Sequence, residues 1–135
     1  MTPFDRPRTH AEEARNALRQ LAHATRHVED PTEIYPSLGD LTNALASLAQ
    51  SLHQMGDFHE GPARERAWVT GDARTGRAAS NQVAWELHRA AEMVHQVAAG
   101  LDRAHEVEAT IAYDVRDHPA LAPVPRPTHE PGLSL

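Results

Sequence analysis

The sequence predicts an all-α protein, an antiparallel bundle of three or four helices with a long C-terminal helix and a Pro-rich disordered tail. Two observations support this fold class. Apolar residues recur at spacings of three and four in three separate segments, which is typical of helices packed against other helices. Proline and glycine residues interrupt the chain between those segments. At 135 residues, the chain has the length of a single domain with one modest core.

The first helix is predicted to begin at Thr9, because Thr9 and Glu12 have the spacing of a capping box. Its apolar positions are Ala14, Leu18, Leu21, Thr25 and Val28. Pro31 should end this helix, since proline disfavours helical geometry in the residue before it. Because the first helix is predicted to begin at Thr9, we expect residues 1–8 to be a flexible N-terminus.

The second helix carries the clearest apolar ladder in the chain. Asp30 as the N-cap, Pro31 in the first position and Glu33 in the third predict its start. Gly56 predicts its end, as a left-handed C-terminal residue. The ladder consists of Ile34, Leu38, Leu41, Leu45, Leu48, Leu52 and Met55.

The third helix is predicted to be the longest, and it follows a partly ordered connection over residues 57–76 in which Pro62 to Val69 could form a short helix. Its ladder consists of Val83, Leu87, Ala90, Val94, Val97, Leu101, Ala104 and Ile111. This ladder spans about 42 Å, against about 32 Å and 21 Å for the other two. Because uncovered apolar surface is costly in water, we expect the 57–76 connection, a second copy or another protein to cover the excess, and we favour self-association.

We place the bundle at residues 9–118 and the tail at 119–135, which holds five of the ten prolines and should be extended and mobile. No apolar stretch is long enough for a membrane span, and the N-terminus lacks the apolar region of a Sec signal peptide. These features predict a cytoplasmic protein.

The composition argues against several functions. A net charge of -6 opposes nucleic acid as a partner, and six aromatic residues argue against an aromatic-lined cofactor pocket. The absence of cysteine excludes disulfides and thiolate chemistry. No nucleophile or phosphate-loop motif is present, so we expect neither an enzyme nor a small-molecule substrate. The basic residues are all Arg and none is Lys, a bias typical of GC-rich genomes and therefore of an actinobacterial source.

The sharpest metal-like pattern is His88, Glu92 and His95 on one face of the third helix. Glu92 and His95 have the Glu-x-x-His spacing of di-iron bundles, but such a site needs the motif twice on facing helices. The second copy, Asp102 to His105, lies on the same helix. These residues and His53 also lie off the apolar ladders, which predicts a solvated surface and no metal or cofactor.

The stretch Ile34-Tyr-Pro-Ser-Leu-Gly-Asp-Leu41 resembles small uncharacterised helical proteins of Streptomyces-type bacteria. Tyr113 and Asp117 have the Tyr-x-x-x-Asp/Glu spacing of the WXG100 (ESX-type) substrates of type VII secretion, which are helical hairpins. Trp68 and Gly71 differ from that family's Trp-x-Gly turn by one additional residue. The resemblance implies that Tyr113 and Asp117 are an export signal, that Trp68 lies at the hairpin turn, and that the helices pair with a partner.

Two functions remain from the sequence. The first is a non-catalytic helical module for protein–protein interaction, self-associating as a homodimer. Its predicted partner-binding residues are Leu87, Val94, Leu101, Ile111 and Trp68. The second is a WXG100-like protein exported without a Sec signal peptide. A metal-binding bundle using His88, Glu92 and His95 is the third and weakest hypothesis.

Overall fold

The computed structural model describes residues 6–69 and 71–114. These residues form three α-helices and no strand: α1 at Pro7–Ala24, α2 at Ile34–Glu60 and α3 at Ala73–Glu108. Short 3-10 helices at Pro31–Glu33 and Arg64–Arg66 precede α2 and α3. The predicted all-α class and the long last helix are confirmed. The tail at 119–135 lies outside the described residues.

The chain divides into two units, and α1 belongs to the first of them, while Thr32–Tyr113 forms the second. Helix α1 begins two residues before the predicted start, with Pro7 in the first turn and no side-chain cap. Proline suits this position because its ring fixes a helical φ angle and the missing N–H would have no partner there. Instead of a capping box, Glu12 forms an ion pair with Arg8 at 3.1 Å.

Helix α1 also ends before the predicted boundary, at Ala24. The hydroxyl of Thr25 donates a hydrogen bond to the Leu21 carbonyl at 3.0 Å, and the Thr25 amide donates to the same carbonyl. The amide bond is the last helical bond between residues four apart, and the hydroxyl adds a second donor to the same carbonyl. No residue of α1 is buried.

Helix α2 continues through Gly56, so the prediction that this glycine ends the helix was wrong. The helix ends at Glu60, and Gly61 follows as the C-cap. Gly56 is instead a buried position in the middle of the contact between α2 and α3. A glycine at a helix–helix contact lets the partner helix approach closely, and this packing outweighs its low helix propensity.

Helix α3 begins ten residues before the predicted ladder, at Ala73. Asp72 caps it, accepting hydrogen bonds from the Arg74 amide at 3.0 Å and the Thr75 hydroxyl at 2.5 Å. The hydrogen bond from Thr75, followed by that from Arg74, lowers the pKa of Asp72 below its usual value. The connection packs against this start of α3, since a Cβ at Gly76 would lie 2.0 Å from the Ala67 carbonyl oxygen.

Helices α2 and α3 form an antiparallel hairpin whose buried contact consists of small residues. They are Ala49 and Gly56 on α2, and Gly76, Ser80, Ala84, Ala91 and Ala98 on α3. Three of the alanines on α3 recur every seven residues, which is the period of helices in continuous contact. The hydroxyl of Ser80 donates to the carbonyl of His59 at 2.8 Å, so this polar side chain is satisfied.

This line of small residues, which we call the small-residue seam, corrects the sequence analysis. The predicted seam of large apolar residues lies beside the buried line and not on it. Helices that meet through alanine and glycine come closer together than helices that meet through leucine. The larger side chains are therefore displaced to the flank of the contact. Within residues 6–69 and 71–114, no helix has the length and apolar character needed to cross a bilayer.

Candidate functional site

The hairpin has two long sides, one on each flank of the small-residue seam. Side chains three residues after a buried position lie on one flank of a helix, and those four residues after it lie on the other. Because α2 and α3 are antiparallel, corresponding positions of the two helices fall on the same side of the pair. The contact between His53 and His88, four residues after Ala49 and Ala84, agrees with this geometry.

The first side is apolar, and we call it the apolar face. Leu48 is 42% exposed and Met55 is 45% exposed on α2, while Val97 is 55% exposed on α3. No charged residue interrupts its two ladders. The face consists of Leu38, Leu41, Leu45, Leu48, Leu52 and Met55 of α2, with Val83, Leu87, Ala90, Val94, Val97, Leu101 and Ala104 of α3.

Further exposed apolar side chains widen this face along its outer edge. Phe58 of α2 and Met93 and Val107 of α3 are each about half exposed or more. Phe58 and Met93 each come two residues after a buried residue of the seam, so they lie on the outer side of their helices, nearly opposite the seam. Exposed apolar side chains on one part of a surface are typical of a site of contact with another protein.

The structure brings together three of the five predicted partner-binding residues. Leu87, Val94 and Leu101 form one half-buried line on the apolar face. Ile111 follows α3 and is exposed, and Trp68 lies in the connection, where it is 66% exposed. Ile111 was predicted as the last residue of the third ladder, but α3 ends at Glu108, so both residues lie outside the two helices of the face.

The second side carries a cluster of histidines and carboxylates, which we call the histidine face. It consists of His53, Asp57 and Glu60 of α2, with His88, Glu92 and His95 of α3. The Nδ1 atoms of His53 and His88 lie 2.7 Å apart. His53 Nε2 lies 3.2 Å from Glu92 Oε1. His88 Nε2 lies 3.5 Å from Asp57 Oδ1 and 3.4 Å from Glu60 Oε1.

His53 and His88 were expected on or near the solvated surface, and their side chains are 34% and 28% exposed. Gly56 is the reason that His88 can lie against α2. A Cβ at this position would be 2.7 Å from His88 Nε2, closer than any stable contact. The ring therefore occupies the space that a side chain at position 56 would fill.

The same arrangement recurs at the other end of the hairpin. His105 of α3 lies over Gly39 of α2, where a Cβ would be 3.3 Å from His105 Nε2. Its ring stacks on Tyr35, with ring centroids 4.0 Å apart. Each glycine of α2 at this interface is thus covered by a histidine of α3.

The structure separates the three residues of the predicted metal pattern. His88 faces Asp57 and Glu60, whereas Glu92 contacts His53. The ring of His95 lies beside that of His53, with centroids 6.2 Å apart. Among the described residues, the three side chains whose ligand atoms lie within 4.8 Å of one another are Asp57, Glu60 and His88.

Sequence reasoning missed the two carboxylates of this group. Asp57 and Glu60 share one flank of α2 because they are three residues apart. This spacing is informative only when α2 continues past Gly56. Treating the glycine as the end of the helix placed both carboxylates in the connection.

The predicted export residues lie at and beyond the end of α3. The Tyr113 hydroxyl donates a hydrogen bond to Glu108 Oε1. This bond to a carboxylate raises the pKa of Tyr113 above its usual value. Asp117 lies outside the described residues.

Comparison of the chain with protein-family models, with curated proteins and with solved structures returns no match.

Proposed function

We propose that this protein is a non-catalytic helical interaction module and that two copies associate through the apolar face of the α2–α3 hairpin. The observation that carries the proposal is the row of large apolar side chains on that face, which are half-buried or exposed. Burying them against a second hairpin would remove this surface from water, which is the main driving force of protein association.

The lengths of the helices favour a second copy as the occupant. Helix α1 has 18 residues and is about 27 Å long. Helices α2 and α3 have 27 and 36 residues and are about 40 Å and 54 Å long. A single short helix matches neither the length nor the double width of the face, whereas another α2–α3 hairpin matches both.

The chemistry of the face supports the same choice. Its ladders follow the three-four spacing of coiled coils, so identical ladders can interlock side chain between side chain. The ladders are uncharged, so they offer no charge pattern that would select a different protein. In a two-fold symmetric dimer each copy presents the same patch to the other.

The test is light scattering of the full chain over a concentration series, with Val97→Glu compared with Ala99→Glu. These positions are two residues apart on α3, but Val97 lies on the apolar face and Ala99 on the opposite flank. A glutamate at position 97 would be buried without a partner in the dimer, which costs at least about 2 kcal/mol per copy. We expect a dimer for the unmodified chain and for Ala99→Glu, and a monomer for Val97→Glu at the same concentration.

A monomer at every concentration for the unmodified chain would contradict the proposal. It would favour the three-helix bundle predicted from the sequence, in which the apolar stripe of α1 covers the hairpin. Dimerisation that survives Val97→Glu would place the interface elsewhere. Circular dichroism of both variants establishes that each retains its helices.

A second candidate function is export as a WXG100-like helical hairpin. Two features of the described residues support it. Trp68 and Gly71 lie in the connection between α2 and α3, and Gly71 has a φ of 78°. Tyr113 follows the end of α3, as in that family's motif. Under this hypothesis the protein leaves the cell, whereas the first hypothesis leaves it in the cytoplasm.

The export hypothesis predicts that Tyr113→Ala abolishes the appearance of the protein in the culture medium of its host. Tyr35→Ala is the matched control, since it removes the other tyrosine of the chain. Both variants should be compared for their cellular amounts, so that loss of folding is not mistaken for loss of export. Normal export of Tyr113→Ala would refute this function and leave the interaction module.

A further inference from the structure

We infer that His88, Asp57 and Glu60 form a binding site for Zn²⁺, in which the metal ion joins α2 to α3 on the histidine face. Two of these ligands come from α2 and one comes from α3. The site is independent of the apolar face, because it lies on the opposite flank of the small-residue seam.

The two distances from His88 to the carboxylates fit a coordinated metal better than direct hydrogen bonds, and all three ligand atoms lie within 4.8 Å of one another. His88 Nε2 lies 3.5 Å from Asp57 Oδ1 and 3.4 Å from Glu60 Oε1. Hydrogen bonds between charged groups are shorter, about 2.7–2.9 Å. Zinc binds nitrogen and carboxylate oxygen at about 2.0–2.2 Å, so the edges of its tetrahedron are about 3.4 Å long.

The contact between His53 and His88 gives the second ring nitrogen of His88 a partner. The Nδ1 atoms of the two rings lie 2.7 Å apart, so one of them donates a hydrogen bond and the other accepts it. In the tautomer in which His88 Nδ1 is the donor, a neutral His88 has its unprotonated Nε2 on the side of Asp57 and Glu60. His53 Nε2 also lies 3.2 Å from Glu92 Oε1, which is an ion-pair distance.

In that tautomer of His88, three electron-pair donors face one another, one from the imidazole and two from the carboxylates. A nitrogen lone pair and two carboxylates repel one another unless they share a cation. A metal ion supplies that cation, and the hydrogen bond between the Nδ1 atoms of His88 and His53 holds the ring of His88 in place. Histidine ligands of metals are generally oriented in this way through their second ring nitrogen.

The mixture of one imidazole and two carboxylates favours zinc over magnesium and calcium, which prefer oxygen ligands alone. Gly56 keeps the site open, since a Cβ there would lie 2.7 Å from His88 Nε2. Asp57 and Glu60 are 70% and 57% exposed, so an ion can enter from solvent and keep a water molecule as its fourth ligand.

The test is calorimetric titration of the full chain with Zn²⁺ at neutral pH, with Mg²⁺ in parallel. His88→Ala and Glu60→Gln remove ligands, while His95→Ala and Glu86→Gln are controls of the same residue types on α3. We expect the two ligand variants to bind Zn²⁺ at least about tenfold more weakly and the controls to bind normally. Mg²⁺ should not bind at comparable concentrations.

A background variant with both His23→Ala and His27→Ala removes a histidine pair, one in the last turn of α1 and one just after it, that could also take up zinc. We expect it to retain the site, and we expect Zn²⁺ to raise the melting temperature in a manner that depends on His88, because the ion binds only when α2 and α3 are together. Equal zinc affinity of His88→Ala and the unmodified chain would overturn the inference. So would the absence of zinc binding, since a proton would then hold the three groups together. Glu60→Gln keeps the inference testable if His88→Ala fails to fold.

Discussion

The two flanks of the small-residue seam lie on the same pair of helices, but their side chains cover the seam in different ways. On the histidine face, glycines of α2 leave room for histidines of α3, and the rings close over the interface. On the apolar face, leucine, valine and methionine side chains stand beside the seam and keep much of their surface exposed. The histidine face is therefore completed within the hairpin, whereas the apolar face lacks a partner among the contacts of the hairpin itself.

This difference shows that close packing at the seam determines which side chains on each flank can cover it. Alanine and glycine residues at the contact bring the helices close, so little space remains between them for large side chains. A flat imidazole ring can cross from one helix to the other where a glycine lies opposite. A branched aliphatic side chain cannot, and it projects outward. Close helix packing thus produces both the polar cluster and the exposed apolar surface.

We expect the largest effect on stability when a small side chain of the seam is replaced by a large one. Ala91 is fully buried, and Ala91→Leu would force a larger side chain between α2 and α3. Overpacking of this kind costs about 1–3 kcal/mol. We expect the free energy of unfolding, measured in urea, to fall by this amount, while Ala99→Leu on the exposed surface of α3 should change it little. A neutral Ala91→Leu would mean that the helices are not closely packed at this position.

Adding one methyl group to the histidine face is the next strongest test. In a helix, glycine to alanine ordinarily stabilises by about 1 kcal/mol. Gly100→Ala should show this gain, because its new Cβ would meet only the end of the Arg103 side chain at 3.6 Å. Gly56→Ala should instead lower the melting temperature, because the new Cβ displaces the ring of His88 from Asp57 and Glu60.

The two substitutions are expected to change stability in opposite directions. This difference in sign is more informative than the size of either change. Both replace a glycine in a helix by alanine, so the helix propensity cancels between them. If Gly56→Ala stabilised the protein as much as Gly100→Ala, His88 would not occupy the space above position 56. A variant carrying both Gly56→Ala and His88→Ala should recover the ordinary stabilisation.

The helices were predictable from the sequence because their ladders follow the helical period, with Glu108 as the one charged residue at an expected ladder position of the third helix. Their ends were less predictable. Pro7 begins α1, and Asp72 begins α3 through a cap in a segment that lacks apolar periodicity. Gly56 has the residue type of a helix end, and only its tertiary contact with His88 shows why the helix continues.

The candidate sites were predictable in part. The ladder residues Leu87, Val94 and Leu101 were identified, but periodicity alone could not show that alanines one turn away form the buried contact. His88 was identified as a candidate ligand, whereas its companions on α2 depend on the pairing of the two helices. Periodicity describes one helix at a time, and a site between two helices requires their register.

The cap at the start of α3 gives a smaller, pH-dependent prediction. The pKa of Asp72 is lowered in the fold, mainly by the Thr75 hydroxyl, so its contribution to stability is present above the ordinary value of 3.8 and lost as pH falls through the lowered pKa. We expect Asp72→Ala to lower the melting temperature at neutral pH and to weaken the acid dependence. Asp72→Asn should keep the cap, because the amide oxygen still accepts hydrogen bonds. Equal melting temperatures for the three proteins would show that this end of α3 does not depend on its cap.

The end of α3 gives the smallest expected effect and the opposite pH dependence. The Tyr113 hydroxyl donates to the Glu108 carboxylate, and this bond raises the pKa of Tyr113 above 10.0. Because the folded pKa is the higher one, the contribution of this contact is complete below pH 10.0 and is lost as pH rises through the raised value. We expect Glu108→Gln to move the phenol titration back toward 10.0, measured as phenolate absorbance with Tyr113→Phe subtracted. An unchanged titration would mean that the hydroxyl does not bind Glu108 in solution and is free for a partner, as the export hypothesis requires of an accessible signal.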